Sequence, residues 1–380
     1  MLRHIVVIFI ELKHMLNWLS LIKKNFFYFI HLILYRSTII MPDRLNTNIS
    51  TGSVIATNHG DMIHDVAYNH FGDRMATCSS DQMIKVWDLD NETKQWKCVH
   101  SWKAHKATIW RIDWAHPEFG QIIVACSFDR TASIWEEQSH EDVPGQITKE
   151  WVARGSLVES RTAIKDIEFA PKHLGFKLAT ITTDGWLRIY DAHDVLRADH
   201  WQHSKDFDVQ SPCCCLTWNT SVQRVDNPMI AVGCDSEKEA SIGNVRIIEK
   251  DNKGDWKMIR EIKKILQPVN DLKFAPDVGR SYQTLAVASN DLHLYKIEDA
   301  SLEDSVESSK FPVKEDSSKL IVEEIAHLKG HECNVLRLSW NMLGTLLVSS
   351  GDDGNVLMWM SNYMGIWNSV DHLKVEQVET

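Results

Sequence analysis

The chain has 380 residues, with 52 acidic and 41 basic side chains and a net charge of −11. That balance excludes a general nucleic-acid binder, which needs clustered Lys and Arg to displace counterions from phosphates. At 44% hydrophobic and 24% charged residues, the composition also excludes a disordered chain and leaves ample apolar surface for a large core.

The first forty residues stand apart. They carry five basic side chains (Arg3, Lys13, Lys23, Lys24 and Arg36) and one acid, Glu11, leaving 36 basic against 51 acidic in the remainder, a net of −15. They are apolar, yet their longest stretch free of charge, Asn25–Tyr35, falls short of the roughly 20 residues that span a bilayer. No small-residue cleavage site follows. From Met41 the text becomes polar and turn-rich. Residues 1–57 are expected to be an extension without a transmembrane span, with Met41 the working start and residues 1–40 an over-extended reading of the gene. A weak membrane anchor is the alternative.

The body repeats. A strand, a small-residue turn holding an Asp and a second strand ending in an aromatic recur as MATCSSDQMIKVWD (75–88), VACSFDRTASIWE (124–136), LATITTDGWLRIYD (178–191), IAVGCD with GNVRIIE (230–249), LAVASNDLHLYK (285–296) and LVSSGDDGNVLMW (347–359). The turn residues Asp81, Asp129, Asp184, Asp235, Asp291 and Asp353 are 48 to 62 positions apart. That period suits a four-stranded propeller blade with its loops. Before each unit comes an alternating strand: Val66 with Tyr68, Ile112 with Trp114, Ile167 with Phe169, Leu272 with Phe274 and Leu338 with Trp340. Period two buries one face of each strand. The expectation is an all-β propeller of six blades over residues 58–367. A Ser-, Asp-, Glu- and Lys-rich insertion at 299–319 reads as a surface loop between blades five and six. Residues 368–380 read as a tail, although GIWNSVDHLKVE (365–376) is written like the outermost strand at 95–105 and could pair beside blade one.

These residues resemble the WD-repeat family, in which a His, a hydroxyl, the turn Asp and a Trp hydrogen-bond inside the blade. A buried Asp needs such donors. The resemblance assigns His59, Asp81 and Trp87 to blade one, His105, Asp129 and Trp135 to blade two, and His331, Asp353 and Trp359 to blade six. Blade three keeps Asp184 with Tyr190 in place of Trp. Blade five keeps Asp291. Within that family, the block from WAHPEFG through CSFDRTASIWEE, then APKHLG and DGWLRIY, is similar to nucleoporins of the Seh type, relatives of the SEC-thirteen coat subunit. The resemblance runs from about residue 58 to about 367. It implies an open six-bladed propeller completed by a blade from a partner, a nucleoporin with a helical solenoid. It also implies a scaffold role in the Y-shaped outer-ring complex of the nuclear pore, with the other nucleoporins of that complex. A place in the GATOR assembly, which relays amino-acid status to TOR at the lysosome, is implied as well. A missing blade would leave strand edges for a partner at 59–88 and 331–360. A vesicle-coat propeller and another WD-repeat adaptor are the alternatives.

No enzyme, cofactor or metal site is expected. His59, His105 and His116 lack metal-ligand spacing. Ser79, Ser127 and Ser349 sit in strands rather than in a nucleophile elbow. Neither phosphate-loop motif occurs. The 8 cysteines form no CxxC pair and read as small reduced hydrophobes, with Cys213 and Cys215 on one face of a strand and Cys214 on the other.

Overall fold

The computed structural model describes residues 38–42, 52–90, 92–93, 95–143, 146–192, 200–235, 244–265, 267–277, 279–299 and 320–374. The N-terminal stretch to residue 37, the inserted loop at 300–319 and the tail from 375 lie outside the described residues. The described elements are strands and three 3-10 turns. Among the described residues, no helix is long and apolar enough to cross a membrane.

Six antiparallel four-stranded sheets follow one another along the chain, each with its strands in sequence order. Blade one is Ile63–Tyr68, Arg74–Ser79, Met83–Leu89 and Trp96–Lys103. Blade two is Ile109–Trp114, Ile122–Ser127, Ala132–Val143 and Gln146–Leu157. Blade three is Ile164–Phe169, Lys177–Thr182, Trp186–Ala192 and Trp201–Asp208. Blade four is Cys213–Trp218, Met229–Cys234, Val245–Lys250 and Trp256–Ile262. Blade five is Asp271–Phe274, Gln283–Ala288, Leu292–Asp299 and Leu320–Leu328. Blade six is Val335–Trp340, Leu346–Gly351, Asn355–Ser361 and Trp367–Lys374. A short separate hairpin pairs Thr38–Pro42 with Gly52–Ala56.

Two expectations need correction. The stretch after 367 is the outermost strand of blade six, because Trp367–Lys374 pairs with Asn355–Ser361. The propeller therefore extends to Lys374, and this strand does not sit beside blade one. The cysteine run is also split differently. A bulge falls between Cys213 and Cys215. It turns Cys213 into the core between blades three and four and Cys215 into the core between blades four and five.

From blade one through blade six, the first strand of each blade packs on the first strand of the one that follows it in the chain, so these strands line the axis. Five apolar clusters fill the junctions between consecutive blades, from one–two to five–six. They are built from the alternating residues: Val86 of blade one, for example, lies in the cluster of Ile112 and Trp114 of blade two. The tight turns between second and third strands are set by their Asp residues. Asp81, Asp129 and Asp353 each accept a hydrogen bond from the backbone N–H two residues on, at 2.9, 3.0 and 3.0 Å.

Candidate partner interface and the hydrogen-bonded sets behind it

In blade one, His59 Nδ1 donates to Asp81 at 2.7 Å and His59 Nε2 lies 2.9 Å from the Thr77 hydroxyl. Trp87 Nε1 donates to the same hydroxyl at 3.1 Å. The donors run in one direction when His59 is neutral with its proton on Nδ1: indole to hydroxyl, hydroxyl to imidazole, imidazole to carboxylate. Blade six repeats the set. His331 Nδ1 is 3.2 Å from Asp353, its Nε2 is 2.8 Å from Ser349 Oγ, and Trp359 Nε1 donates to Ser349 at 2.8 Å. Two glycines allow this approach. A Cβ on Gly330 would meet the Trp359 ring at 2.7 Å, and one on Gly351 would meet His331 Nδ1 at 2.4 Å.

Blade two closes the same set differently. His105 Nδ1 lies 3.1 Å from Asp129, its Nε2 lies 2.7 Å from Ser133 Oγ, and Trp135 Nε1 donates to Ser133 at 2.8 Å. Ser133 stands on the third strand, directly opposite Ala125 on the second, where blade one has Thr77 opposite Lys85. The hydroxyl has crossed the ladder and still reaches the same point in space. In all three sets burial pushes the carboxyl up, and the His and backbone N–H donors outweigh it. Asp81 is held down at about 2, and Asp129 and Asp353 are held below the usual carboxylate range.

Blades three and five depart. Asp184 bonds the Thr182 hydroxyl within its own turn. Tyr190 occupies the aromatic position, and its hydroxyl donates to Glu159 at 3.2 Å. In blade five, Ala288 pairs with Leu292, whereas blade one spans Cys78 to Ile84. The turn is two residues shorter. Asp291 consequently meets His327 of the outermost strand at 2.7 Å.

The axis holds a feature that residue-by-residue reading missed. One equivalent position of the first strands, third in five of them and first in the shorter strand of blade five, holds Asp65, Arg111, Asp166, Cys215, Asp271 and Arg337 in turn. Arg111 donates to Asp271 at 2.8 Å and lies 3.4 Å from Asp166 and 4.0 Å from Asp65. Desolvation opposes this buried charge, but three carboxylates raise the Arg111 pKa well above its usual value. The carboxylates also clip neighbouring blades. Asp65, Asp166 and Asp271 accept from the backbone N–H of Ile112, Leu216 and Leu338 at 3.1, 2.9 and 2.9 Å. Beside each clip an indole of the following blade donates to a carbonyl of the preceding one: Trp114 to Ala67, Trp218 to Glu168, and Trp340 to Lys273.

The junction of blade six with blade one is different. The residues that face a neighbour at every other junction are here Val348, Val356 and Met358 on one side, with Val66, Tyr68 and Met75 on the other. All are buried, and none belongs to the five clusters above. The clip position on the blade-six side carries Arg337, whose guanidinium reaches the His64 carbonyl at 3.4 Å.

A ring of six four-stranded sheets with His–Asp–hydroxyl–Trp sets defines a WD-repeat β-propeller. The family model described as "WD domain, G-beta repeat" matches residues 52–88, 96–136 and 322–360, which contain the three complete sets. The chain is 43% identical over 324 residues to the human and the Xenopus tropicalis nucleoporin SEH1, covering 84% of this chain and 87% of each relative. It is 42% identical to the Danio rerio nucleoporin SEH1 over the same length, covering 84% of this chain and 86% of that one. The chain belongs to the SEH1 nucleoporin family.

Proposed function

We propose that this chain is a non-enzymatic scaffold subunit of the nuclear pore's outer-ring complex, resident at the nuclear envelope. In this reading it serves pore assembly and nucleocytoplasmic transport beside the other nucleoporins of that complex. The observation that carries the reading is the 43% identity with SEH1 nucleoporins over 324 residues, 84% of this chain. The three His–Asp pairs that would invite catalysis are engaged in holding turns.

The proposed partner is a helical-solenoid nucleoporin that adds strands at the seam between blades six and one. Both faces of that seam are apolar, and the seam lacks the carboxylate clip of junctions one–two, three–four and five–six. Both faces are buried in the isolated chain. Strands added there by a partner would extend the propeller by β-augmentation. The same propeller is proposed to join the GATOR assembly at the lysosomal surface, through the same seam.

The test is a pull-down of the full-length chain from native extract, with mass spectrometry of what remains bound. Recovery of an outer-ring solenoid nucleoporin is the expected result, with GATOR subunits in a separate pool. Recovery of coat proteins alone, or of a free monomer, would overturn the reading.

A further inference from the structure

Blade five lacks the His–Asp–hydroxyl–Trp set and carries a different cluster. His293 and His327 are direct partners across the ladder between the third and outermost strands. Their rings stack at 4.3 Å with an interplanar angle of 16°. A bulge between Leu294 and Tyr295 leaves Ile325 unpaired. In a regular strand, residues three apart point to opposite faces. The bulge cancels that and brings Glu324 to the face of His327. His293 Nδ1 lies 2.9 Å from Glu324 Oε1. The shortened turn supplies Asp291, which accepts from His327 Nε2 at 2.7 Å. One donor atom from each of His293, Glu324 and His327 lies within 4.8 Å of the others. Lys264, from the segment after the outermost strand of blade four, puts its ammonium 3.1 Å from Glu324 Oε2. A cation thus already sits against the carboxylate.

We propose that His293, Glu324 and His327 bind one Zn²⁺ ion, with Asp291 orienting His327 through the ring nitrogen turned away from the metal. Two imidazoles and a carboxylate, with water in the fourth place, are a zinc donor set. Calcium and magnesium want oxygen donors and do not suit it. Donors around tetrahedral zinc stand about 3.3 Å apart, so the His293–Glu324 pair is already at bonding separation and His327 has the distance to close. The ion takes the place of the proton that His293 Nδ1 shares with Glu324, that proton passing to Nε2 so that the imidazole stays neutral, and it displaces the Lys264 ammonium to solvent. The carboxylate behind a metal-bound imidazole fixes its orientation, the part given to Asp291. This departs from the sequence expectation of no metal, which rested on spacing along the chain. These ligands are 31 and 3 residues apart and meet only through the ladder and its bulge.

The test is calorimetric titration of the EDTA-stripped full-length chain with ZnCl₂, MgCl₂ and CaCl₂. Other surface histidines can take up zinc, so the readout is a difference. The His293→Ala/His327→Ala double variant is expected to lose one zinc equivalent. Asp291→Asn is expected to weaken that equivalent about tenfold. Lys264→Met, which removes the competing ammonium, is expected to tighten it severalfold. Unfolding in EDTA, unchanged in each variant, shows that the propeller is intact. Equal zinc uptake by the double variant and the wild-type chain, or displacement of the zinc by equimolar magnesium, would overturn the site.

Discussion

Ser349→Ala probes whether the hydrogen-bonded sets hold the blades. Ser349 is fully buried and takes part in two bonds of 2.8 Å, one with Trp359 Nε1 and one with His331 Nε2. Removing the hydroxyl leaves a buried indole N–H and a buried imidazole nitrogen without partners. Each orphaned group costs about 1–3 kcal/mol, so the loss is expected at about 2–5 kcal/mol. Trp359→Phe removes the indole donor and leaves Ser349 bonded to His331. In the double variant the orphaned donor is gone, so the two losses should fall short of additive by about 1–2 kcal/mol. Ser349→Thr keeps the hydroxyl, as blade one does with Thr77, and should cost less than Ser349→Ala, about 1–2 kcal/mol for the added methyl. The assay is urea unfolding of the full-length chain at pH 7, followed by tryptophan fluorescence. A loss below about 0.5 kcal/mol for Ser349→Ala, or strict additivity in the double variant, would refute the assignment of strength to this set.

Two further outcomes follow from the axis. Burial, followed by the nearby Glu168 carboxylate, pushes Asp113 up to about 7 from its ordinary 3.8, so the native state holds a proton that the unfolded state has released. Stability should therefore fall as pH rises from about 4 to about 7, by on the order of 2 kcal/mol after allowance for partial exposure. Denaturant unfolding at pH 5 and pH 8 should show the fall in the wild-type chain and a flatter profile for Asp113→Asn; an unchanged slope would sink the assignment. The lowered carboxyls of Asp81, Asp129 and Asp353 act in the other window, their stabilisation being lost as pH drops below about 4 toward 2. Arg111→Met strands three buried carboxylates and should cost about 3–5 kcal/mol in the same assay, while a loss under about 1 kcal/mol would mean that they relax away from one another.

The propeller was legible because its determinants are local. Strand periodicity, turn aspartates and blade-sized spacing all act within one blade, so the six sheets follow from short windows of text. The sets were half legible. His and Asp are marked by their turns, but a hydroxyl is marked only by its position in space. Ser133 reaches the same point as Thr77 from the opposite strand, so no fixed offset from the Asp finds both. Asp291 misled although its spacing carried the signal: it stands four residues before Tyr295, whereas Asp81, Asp129, Asp184 and Asp353 stand six before their aromatics. The axial charges were invisible for a physical reason. A lone Asp or Arg in a strand normally signals a solvated face. Only the arrangement of the blades around one axis brings Asp65, Arg111, Asp166 and Asp271 together, across more than 200 residues of chain.

The alternation around the axis gives the ring a grain. Within the pairs one–two, three–four and five–six, each seam carries both a carboxylate clip and an indole bond. Between two and three, the clip is a single bond from Phe169 N to Asp113 at 2.8 Å, with a phenyl ring where the indole would be. At the axis these clips and indole bonds group the blades into three doublets, while toward the rim junction four–five is tied by other bonds, Asn219 to Gln283 and Ser221 to Asp277, both at 2.6 Å. The place where blade six comes round to blade one lies between two of these doublets. Accommodating an extra blade there leaves every doublet whole.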